Sequence, residues 1–341
     1  MRLPVGSYKQ RRIPLAVPVV ALAASIYRLI DNLVFVLIPL HTALTDEILS
    51  DIASIHKDEA LYCDKNFVLR QQAIDDIEFH IIDRIDALLQ NSHATDLLIS
   101  LKQYAERVKH RLEEVDRRLF HQLRTEISKG SDNGKLLAQW IHEFLGDQVP
   151  VPAQDPIGYD SLDMFINELL TYQDMPAETK DREPEMVYYQ QTPARIILEL
   201  VKRAAFKPND VFFDLGSGLG QVVILVNLLT AVISKGVEFE PAFCNYANTH
   251  AADLHLKRVD FINMDARYAD YTSGTVFFMY TPFSGKMLDD VLQNLSGEAK
   301  KRTIKIFTYG PCTLTVSRQT WLTSVAHQHN FSGRLAEFHS I

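Results

Sequence analysis

Three acids in this chain close short apolar runs, and the first is followed by a turn almost bare of side chains. Val211-Phe-Phe-Asp214 leads through Leu215 into Gly216-Ser217-Gly218-Leu219-Gly220, after which Gln221-Val-Val-Ile-Leu-Val takes up a helical pattern. A strand, a glycine turn and a helix set backbone N–H groups and a positive helix end around one small volume. That is the geometry of a nucleotide-type site at the carboxyl edge of a parallel sheet. The spacing argues against a dinucleotide, whose fingerprint is G-x-G-x-x-G with the pyrophosphate on the helix N-terminus. Here the third glycine comes one residue early, and Gln221 holds the fingerprint position. Asp214, two residues before the first glycine, repels a pyrophosphate and attracts a cationic amine. Lys235-Gly-Val-Glu238-Phe-Glu240 reads as a second strand, with Glu238 about 20 residues past the glycines, where an acid accepts from both ribose hydroxyls. Val259-Asp-Phe-Ile-Asn-Met-Asp265 reads as a third, ending in an acid suited to an adenine amino group. A ligand with an amino acid, a ribose and an adenine but no phosphate fits all three acids, and S-adenosylmethionine is that ligand.

The same residues carry a resemblance. D-L-G-S-G-L-G-Q, the G-V-E closing the second strand and the M-D closing the third resemble class I S-adenosylmethionine-dependent methyltransferases. With Tyr189-Gln-Gln-Thr192 upstream, the chain is most similar to the disruptor-of-telomeric-silencing family, the histone lysine methyltransferases without a SET domain. The similarity runs over about residues 186–311, and the glycine motif is its most specific part. It implies Thr192 near the methionine carboxylate, Asp214 and Gly216 at the amino-acid moiety, Gln221 near the cofactor, Glu238 on the ribose and Asp265 on the adenine. Tyr189, Ser217, Gly218 and Gly220 complete the expected cofactor site. The fourth strand departs from the family: paired asparagines before a Phe are replaced by Tyr280 and Thr281 in Val276-Phe-Phe-Met-Tyr-Thr-Pro-Phe283.

A methyl sulfonium is already activated, so the protein chiefly holds a nucleophile in line and gives its proton a way out. The candidates are Tyr280, Thr281 and Phe283, at the carboxyl end of the fourth strand. Tyr280 is placed to orient an amine and Phe283 to pack against it. The alternative is that Phe277, Phe278 and Phe283 are core and only backbone carbonyls around Pro282 meet the substrate. Tyr309-Gly-Pro311, ending the fifth strand, is a weaker candidate. Tyr188 and Tyr189 either line a substrate channel or pack.

These residues need a scaffold, and the pattern supplies one. Strands are expected near 211–215, 235–239, 259–263, 275–281, 303–309, 320–326 and 334–340, with helices in the early gaps, Pro241 to Leu256 the clearest. This predicts an α/β fold, a doubly wound, seven-stranded, Rossmann-like methyltransferase sheet whose last two strands form an antiparallel edge hairpin. Upstream, 1–147 is expected to be an all-α domain, 148–185 a linker and cap, and 186–341 the cofactor-binding domain. Ile74, Ile77, Ile81, Ile85 and Leu88 share one helix face. After a polar break at Asn91-Ser-His, the steps from Leu101 through Ala105, Val108, Leu112 and Val115 to Leu119 alternate four and three. That is a heptad seam, and the two helices should form an antiparallel hairpin, either a recruiting or dimerising coiled coil or, with the greater weight, one buried in its own domain. Gly146 to Pro156 is a proline-rich connector, Asp160 to Tyr172 a helix, Gln173 to Pro184 a loop, and Pro193 to Ala205 a helix with proline in its first turn.

The chain has 341 residues, 47% of them hydrophobic and 23% charged, as in ordinary globular proteins. Its 35 Lys and Arg against 43 Asp and Glu give a net charge of −8, a poor start for holding nucleic acid through phosphates. Cys63, Cys244 and Cys312 are too scattered for a disulfide framework or a metal cluster. With the histidines at 327, 329 and 339 sharing no ligand pattern, no metal is expected. A basic start at Lys9-Gln-Arg-Arg12 precedes the apolar Ile13 to Ala24, and Leu33 to Leu40 is apolar too. Pro14 and Pro18 interrupt the first, and neither reaches the ~20 residues that span a bilayer, so a buried helix pair and a cytoplasmic setting are expected over a signal or anchor. The function expected is S-adenosylmethionine-dependent N-methylation of an amine such as a protein lysine. The helical region then selects a large substrate, or serves a homodimer or partner. A small-molecule methyltransferase and a cofactor-binding interaction protein stay open, and a nicotinamide-dependent oxidoreductase ranks third.

Overall fold

The computed structural model describes residues 43–90, 95–130, 132–146, 160–170, 175–325 and 333–341. The apolar stretches Ile13–Ala24 and Leu33–Leu40, the polar break at Asn91-Ser-His, His327, His329 and nearly all of the proline-rich connector lie outside them. Among the described residues no helix is long and apolar enough to cross a membrane. The chain forms two compact units, one of 43–59 with 73–111 and one of 60–72 with 112–341.

The helical elements of the N-terminal half are α1 (43–57), α2 (Phe67–Asp75), α3 (Asp83–Leu89), α4 (Thr95–Ser128) and α5 (Asn133–Leu145). A π-helical stretch, Asp76–Ile82, joins α2 to α3. It widens the turn where a simple 3.6 period is expected, so Ile77, Ile81, Ile82 and Ile85 are buried while Ile74 and Leu88 are half-buried. Along α4, Leu101, Ala105, Val108, Leu112, Val115 and Leu119 are all buried, the seam that its heptad spacing marks. In the first unit, α3 and the π stretch run antiparallel to α4, stitched by Lys102 to Asp86 at 2.7 Å and Lys109 to Glu78 at 2.5 Å. In the second unit, Arg70 and Asp116 make the same kind of contact inside the protein. Arg70 is fully buried, bonds the Asp116 carboxylate at 2.5 Å, and donates to the carbonyls of Leu61 and Cys63.

The second unit holds a seven-stranded sheet: β1 (Val211–Leu215), β2 (Ile233–Glu238), β3 (Val259–Asn263), β4 (Val276–Tyr280), β5 (Lys305–Tyr309), β6 (Leu322–Ser324) and β7 (Ala336–Ser340), in the order β3-β2-β1-β4-β5-β7-β6. The first five are parallel; β7 runs antiparallel to both β5 and β6. The chain order reverses between β1 and β4, the topological switch point where ligands of such sheets bind. α6 (Ser161–Leu170), α7 (Ala194–Ala204), α8 (Gln221–Thr230), α9 (Pro241–Asp253), α10 (Gly285–Ala299) and the one-and-a-half-turn α11 (Cys312–Ser317) cover it.

Alternation along each buried strand builds two cores. Phe212, Phe278 and Phe307 join the cluster that contains α5 to α9, whereas Phe213, Phe277 and Ile306 join the one under α10 and α11. Aromatic edges lock the first: Phe67, Phe120 and Phe165 meet pairwise with centroids 5.3 to 5.7 Å apart. The helices α5 and α6 therefore share one apolar core with the sheet. Within the sheet, the two departures from the expected elements are at the far edge. β6 is trimmed to three residues and α11, with no periodic signal in so short a segment, sits between β5 and β6.

Candidate active site

Leu215 ends β1, and the chain then turns through Gly216, Gly218 and Gly220, all with positive φ (78°, 52° and 86°). All three also need the missing side chain for space. A Cβ on Gly216 would come within 2.2 Å of Pro282, and one on Gly218 within 2.3 Å of the Tyr189 ring. The N–H groups of this turn are spent inside the protein. Gly216 and Ser217 both donate to the Val237 carbonyl, at 2.8 and 3.1 Å, Gly218 donates to Glu238 Oε2 at 2.7 Å, and Gly220 to the Ser217 carbonyl at 2.9 Å. A pyrophosphate would find none of these four donors free, which strengthens the argument from spacing against a dinucleotide.

A solvent-open cleft lies over the carboxyl ends of β1, β2, β3 and β4. Tyr189, Thr192, Asp214, Gly216, Ser217, Gly218, Gln221, Glu238, Asp265, Tyr280, Thr281 and Phe283 all line it. Gly220 does not. It stands behind the turn as the residue before α8, where a Cβ would strike Phe261 and Ala247.

Asp214 is 3% exposed, and among the described residues its carboxylate has no hydrogen-bond or ion-pair partner. Burial, helped by the nearby Glu238 charge, pushes its carboxyl well above the ordinary range. Two more acceptors of the cleft are buried without a partner, Ser217 Oγ and Gln221 Oε1. The ionised carboxylate and the Gln221 carbonyl can only accept, while the Ser217 hydroxyl can do either, and an ammonium group supplies up to three donors.

Glu238 is held from behind. Its Oε1 accepts from the Glu240 N–H at 2.8 Å and its Oε2 from Gly218, leaving lone pairs toward the cleft. Burial raises its pKa, and these backbone donors offset only part of that. Asp265 departs from the simple expectation of an open carboxylate. Arg267 clasps both its oxygens, at 3.1 and 2.6 Å, and the Arg267 N–H adds a third bond at 2.8 Å. Burial works against ionisation there, but the Arg267 hydrogen bonds outweigh it and hold Asp265 below the usual carboxylate range.

At the end of β4, the three expected acceptor-side residues differ. Tyr280 is half-buried and tilts against Tyr309 at 4.8 Å between centroids. Thr281, with φ at 40°, turns its hydroxyl toward the Tyr309 carbonyl at 3.3 Å and accepts from the Cys312 N–H at 3.2 Å, tying two strand ends together. Phe283 is 4% exposed and belongs to the second core. The Pro282 carbonyl, the alternative substrate contact, accepts from the Val187 N–H at 3.0 Å.

Sequence reasoning expected a cap over 148–185 but not the clasp that holds the arm carrying Val187. Residues 178–188 run as a strap across the strand ends. Thr179 Oγ1 and the Lys180 N–H donate to Glu240 at 2.5 and 2.8 Å, and Arg267 reaches Glu183 at 2.6 Å. The Glu185 carboxylate caps α10 at the Lys286 and Met287 N–H groups, at 2.9 and 2.7 Å. Burial works against the Glu240 charge, but its four hydrogen bonds carry its pKa down to about 2. At the mouth, the Arg182 guanidinium lies 3.2 Å over the Tyr188 ring and pairs with Glu178. Only the second acid of G-V-E-F-E, at a strand end facing a polar loop, could have pointed to this clasp. Among the described residues, no group of three or more His, Cys, Asp or Glu side chains is arranged to hold a metal ion.

Comparison with known proteins agrees with this geometry. Residues 183–281 match the family model described as histone methylation protein DOT1. No curated protein matches the chain. Among solved structures, an RNA methyltransferase from Salinibacter ruber in complex with S-adenosyl-L-homocysteine is 18% identical, with 44% of this chain and 92% of that one covered at a TM-score of 0.35. A putative RNA methyltransferase from Pyrococcus horikoshii is 12% identical over 54% of this chain and all of its own, at 0.39. A methyltransferase from Aquifex aeolicus is 17% identical over 44% and 93%, at 0.35. These structural likenesses are too distant to bear on substrate. The sheet, the glycine turn and the family match define the class: the protein is a class I S-adenosylmethionine-dependent methyltransferase. Within that class its similarity, over residues 183–281, is to the DOT1 type.

Proposed function

We propose that the protein N-methylates an amine and that the acceptor is a lysine side chain of a protein. The observation that carries the cofactor half is the buried, unpartnered Asp214 carboxylate at the switch point of the sheet. Asp214, Ser217 and Gln221 are assigned to the amino-acid end of the cofactor with Thr192 beside them, and Gly216 and Gly218 let Pro282 and Tyr189 pack onto the turn. Glu238 takes the ribose hydroxyls. Asp265, already shaped by Arg267, takes the adenine amino group, and Tyr189 closes the site over Gly218. S-adenosylmethionine, when bound, supplies an activated methyl group. The chain's part is to hold the acceptor nitrogen in line and let its proton leave toward solvent through the open cleft.

The acceptor half rests on the family match and on the wall opposite the glycine turn. Met186, Tyr280, Phe283 and Met287 give that wall an apolar, aromatic face, suited to the four-carbon stem of a lysine. Tyr280, the only one of the three expected β4-end residues with a partly exposed ring, is assigned to orient the amine. Thr281 and Phe283 hold its strand end.

Calorimetric titration with S-adenosylhomocysteine tests the first half. Micromolar-range binding, about −8 kcal/mol, is expected for wild type and should vanish in Asp214→Ala with Glu238→Ala. A folded wild type that does not bind refutes the reading. For the acceptor, radiolabel from the cofactor should enter core histones and lysine-rich peptides but not the same peptides acetylated on every lysine. Labelling of the acetylated peptides would rule out the lysine assignment.

A further inference from the structure

Asn167, upstream of the family match, makes a polar contact with Gln221, one of the residues assigned above to the cofactor. Gln221 is the first residue of α8 and is 9% exposed. Its amide has an accepting oxygen and a donating NH2 that diverge from one carbon. The Oε1 end is buried with no partner, and the residue lines the cleft. The Nε2 end donates to Asn167 Oδ1, 3.3 Å away on α6. The Gln191 amide, just before α7, donates to the same oxygen. A carbonyl oxygen that accepts from two amides fixes the orientation of both, because turning either one over would set oxygen against oxygen.

The helix that carries Asn167 is itself anchored. One turn earlier, Asp163 is 1% exposed and accepts from the Ala194 N–H at 2.7 Å, the first residue of α7, and from the Asp160 N–H at 3.0 Å. One face of α6 thus pins the start of α7 through a carboxylate and the start of α8 through an amide. We infer that Asn167 is a positioning residue for the cofactor, acting through Gln221 by holding its amide with the carbonyl oxygen toward the cleft. The inference rests on the proposed cofactor site. Without Asn167, the Gln221 amide is free to turn over. Its NH2 would then face Asp214 in place of an incoming ammonium, and the cofactor would lose an acceptor and meet a competing donor.

The test is a double-mutant cycle read by S-adenosylhomocysteine affinity, with thermal unfolding of each free variant as the control. Asn167→Ala and Gln221→Ala should each weaken binding roughly 3- to 10-fold. The double variant should be no weaker than Gln221→Ala alone, because the second residue works only through the first. Asn167→Asp keeps the acceptor oxygen and should bind within about twofold of wild type. Effects that multiply in the double variant, wild-type binding by Asn167→Ala, or a loss in Asn167→Asp equal to that in Asn167→Ala each overturn the inference. If Asn167→Ala does not fold, Asn167→Leu, which keeps the volume but has no acceptor oxygen, takes its place in the same cycle. A wild type that does not bind S-adenosylhomocysteine fails at the earlier step and takes this inference with it.

Discussion

Asp214 makes the free protein work against itself. A buried carboxylate without a donor is costly when ionised, and the cost has a definite pH dependence. Its folded pKa lies above its unfolded value, so the folded state binds more protons between the two. Stability of the free protein therefore falls as pH rises through that window, and above it the whole cost is present. Asp214→Asn removes the charge and should raise the melting temperature of the free protein by about 2 °C or more at about pH 8. The gain should disappear near pH 4, where the wild-type group is already neutral. The same variant should lose the stabilisation that S-adenosylhomocysteine gives wild type. Scanning calorimetry across pH, with and without ligand, checks both. A variant that is less stable than wild type at pH 8 contradicts the account. This residue was readable from sequence because its chemistry depends on local spacing, an acid two positions before a glycine turn. Asn167 was not, since nothing near it in sequence shows that it faces Gln221 across 54 positions.

At the scale of elements, legibility followed burial. β1, β4 and β5 are covered on both faces and read as unbroken apolar runs, Val-Phe-Phe, Val-Phe-Phe-Met and Ile-Phe. β6, three residues of Leu-Thr-Ser at the edge, carries too little pattern for its ends to be placed. The π stretch also escaped, since its isoleucines keep a helical spacing while the backbone widens. The strap had no periodic signal at all; its course is set by partners on three strand ends. Glu240→Gln weakens the clasp at Thr179 and Lys180. Tryptic cleavage at Lys180 and Arg182 should then quicken several-fold in the native protein, followed by mass spectrometry, with unchanged rates counting against a docked strap. Farther from the cleft, the Arg70–Asp116 pair sets a different expectation. Arg70→Met strands a buried carboxylate with Gln71 as its remaining side-chain donor and should cost about 3–5 kcal/mol in urea unfolding. Adding Asp116→Leu should recover most of it, because an apolar pair leaves no charge to strand.

At the scale of the whole molecule, the sheet in its reversed order places β1 and β4 side by side and so opens the cleft, a relation that alternating strands and helices already implied. The division of the chain is less simple than a helical half and a sheet half. α5 and α6 belong to the sheet's core, and α4 supplies residues to both compact units. A proline-rich stretch marks a connector in the sequence, but it does not tell which helices pack on which side of it.

The glycine turn, with the N–H groups of Gly216, Ser217, Gly218 and Gly220 bound internally, has a consequence for selectivity inside a cell. Adenine nucleotides carry the same adenosine half as the proposed cofactor and would compete for any pocket that reads adenosine alone. Here a triphosphate would enter beside Asp214 and Glu238 and find Gly216, Ser217, Gly218 and Gly220 with no donor to offer. ATP added in large excess should leave the titration with S-adenosylhomocysteine unchanged, while adenosine itself should compete weakly. The enzyme would then follow the methyl-donor supply and ignore the energy charge.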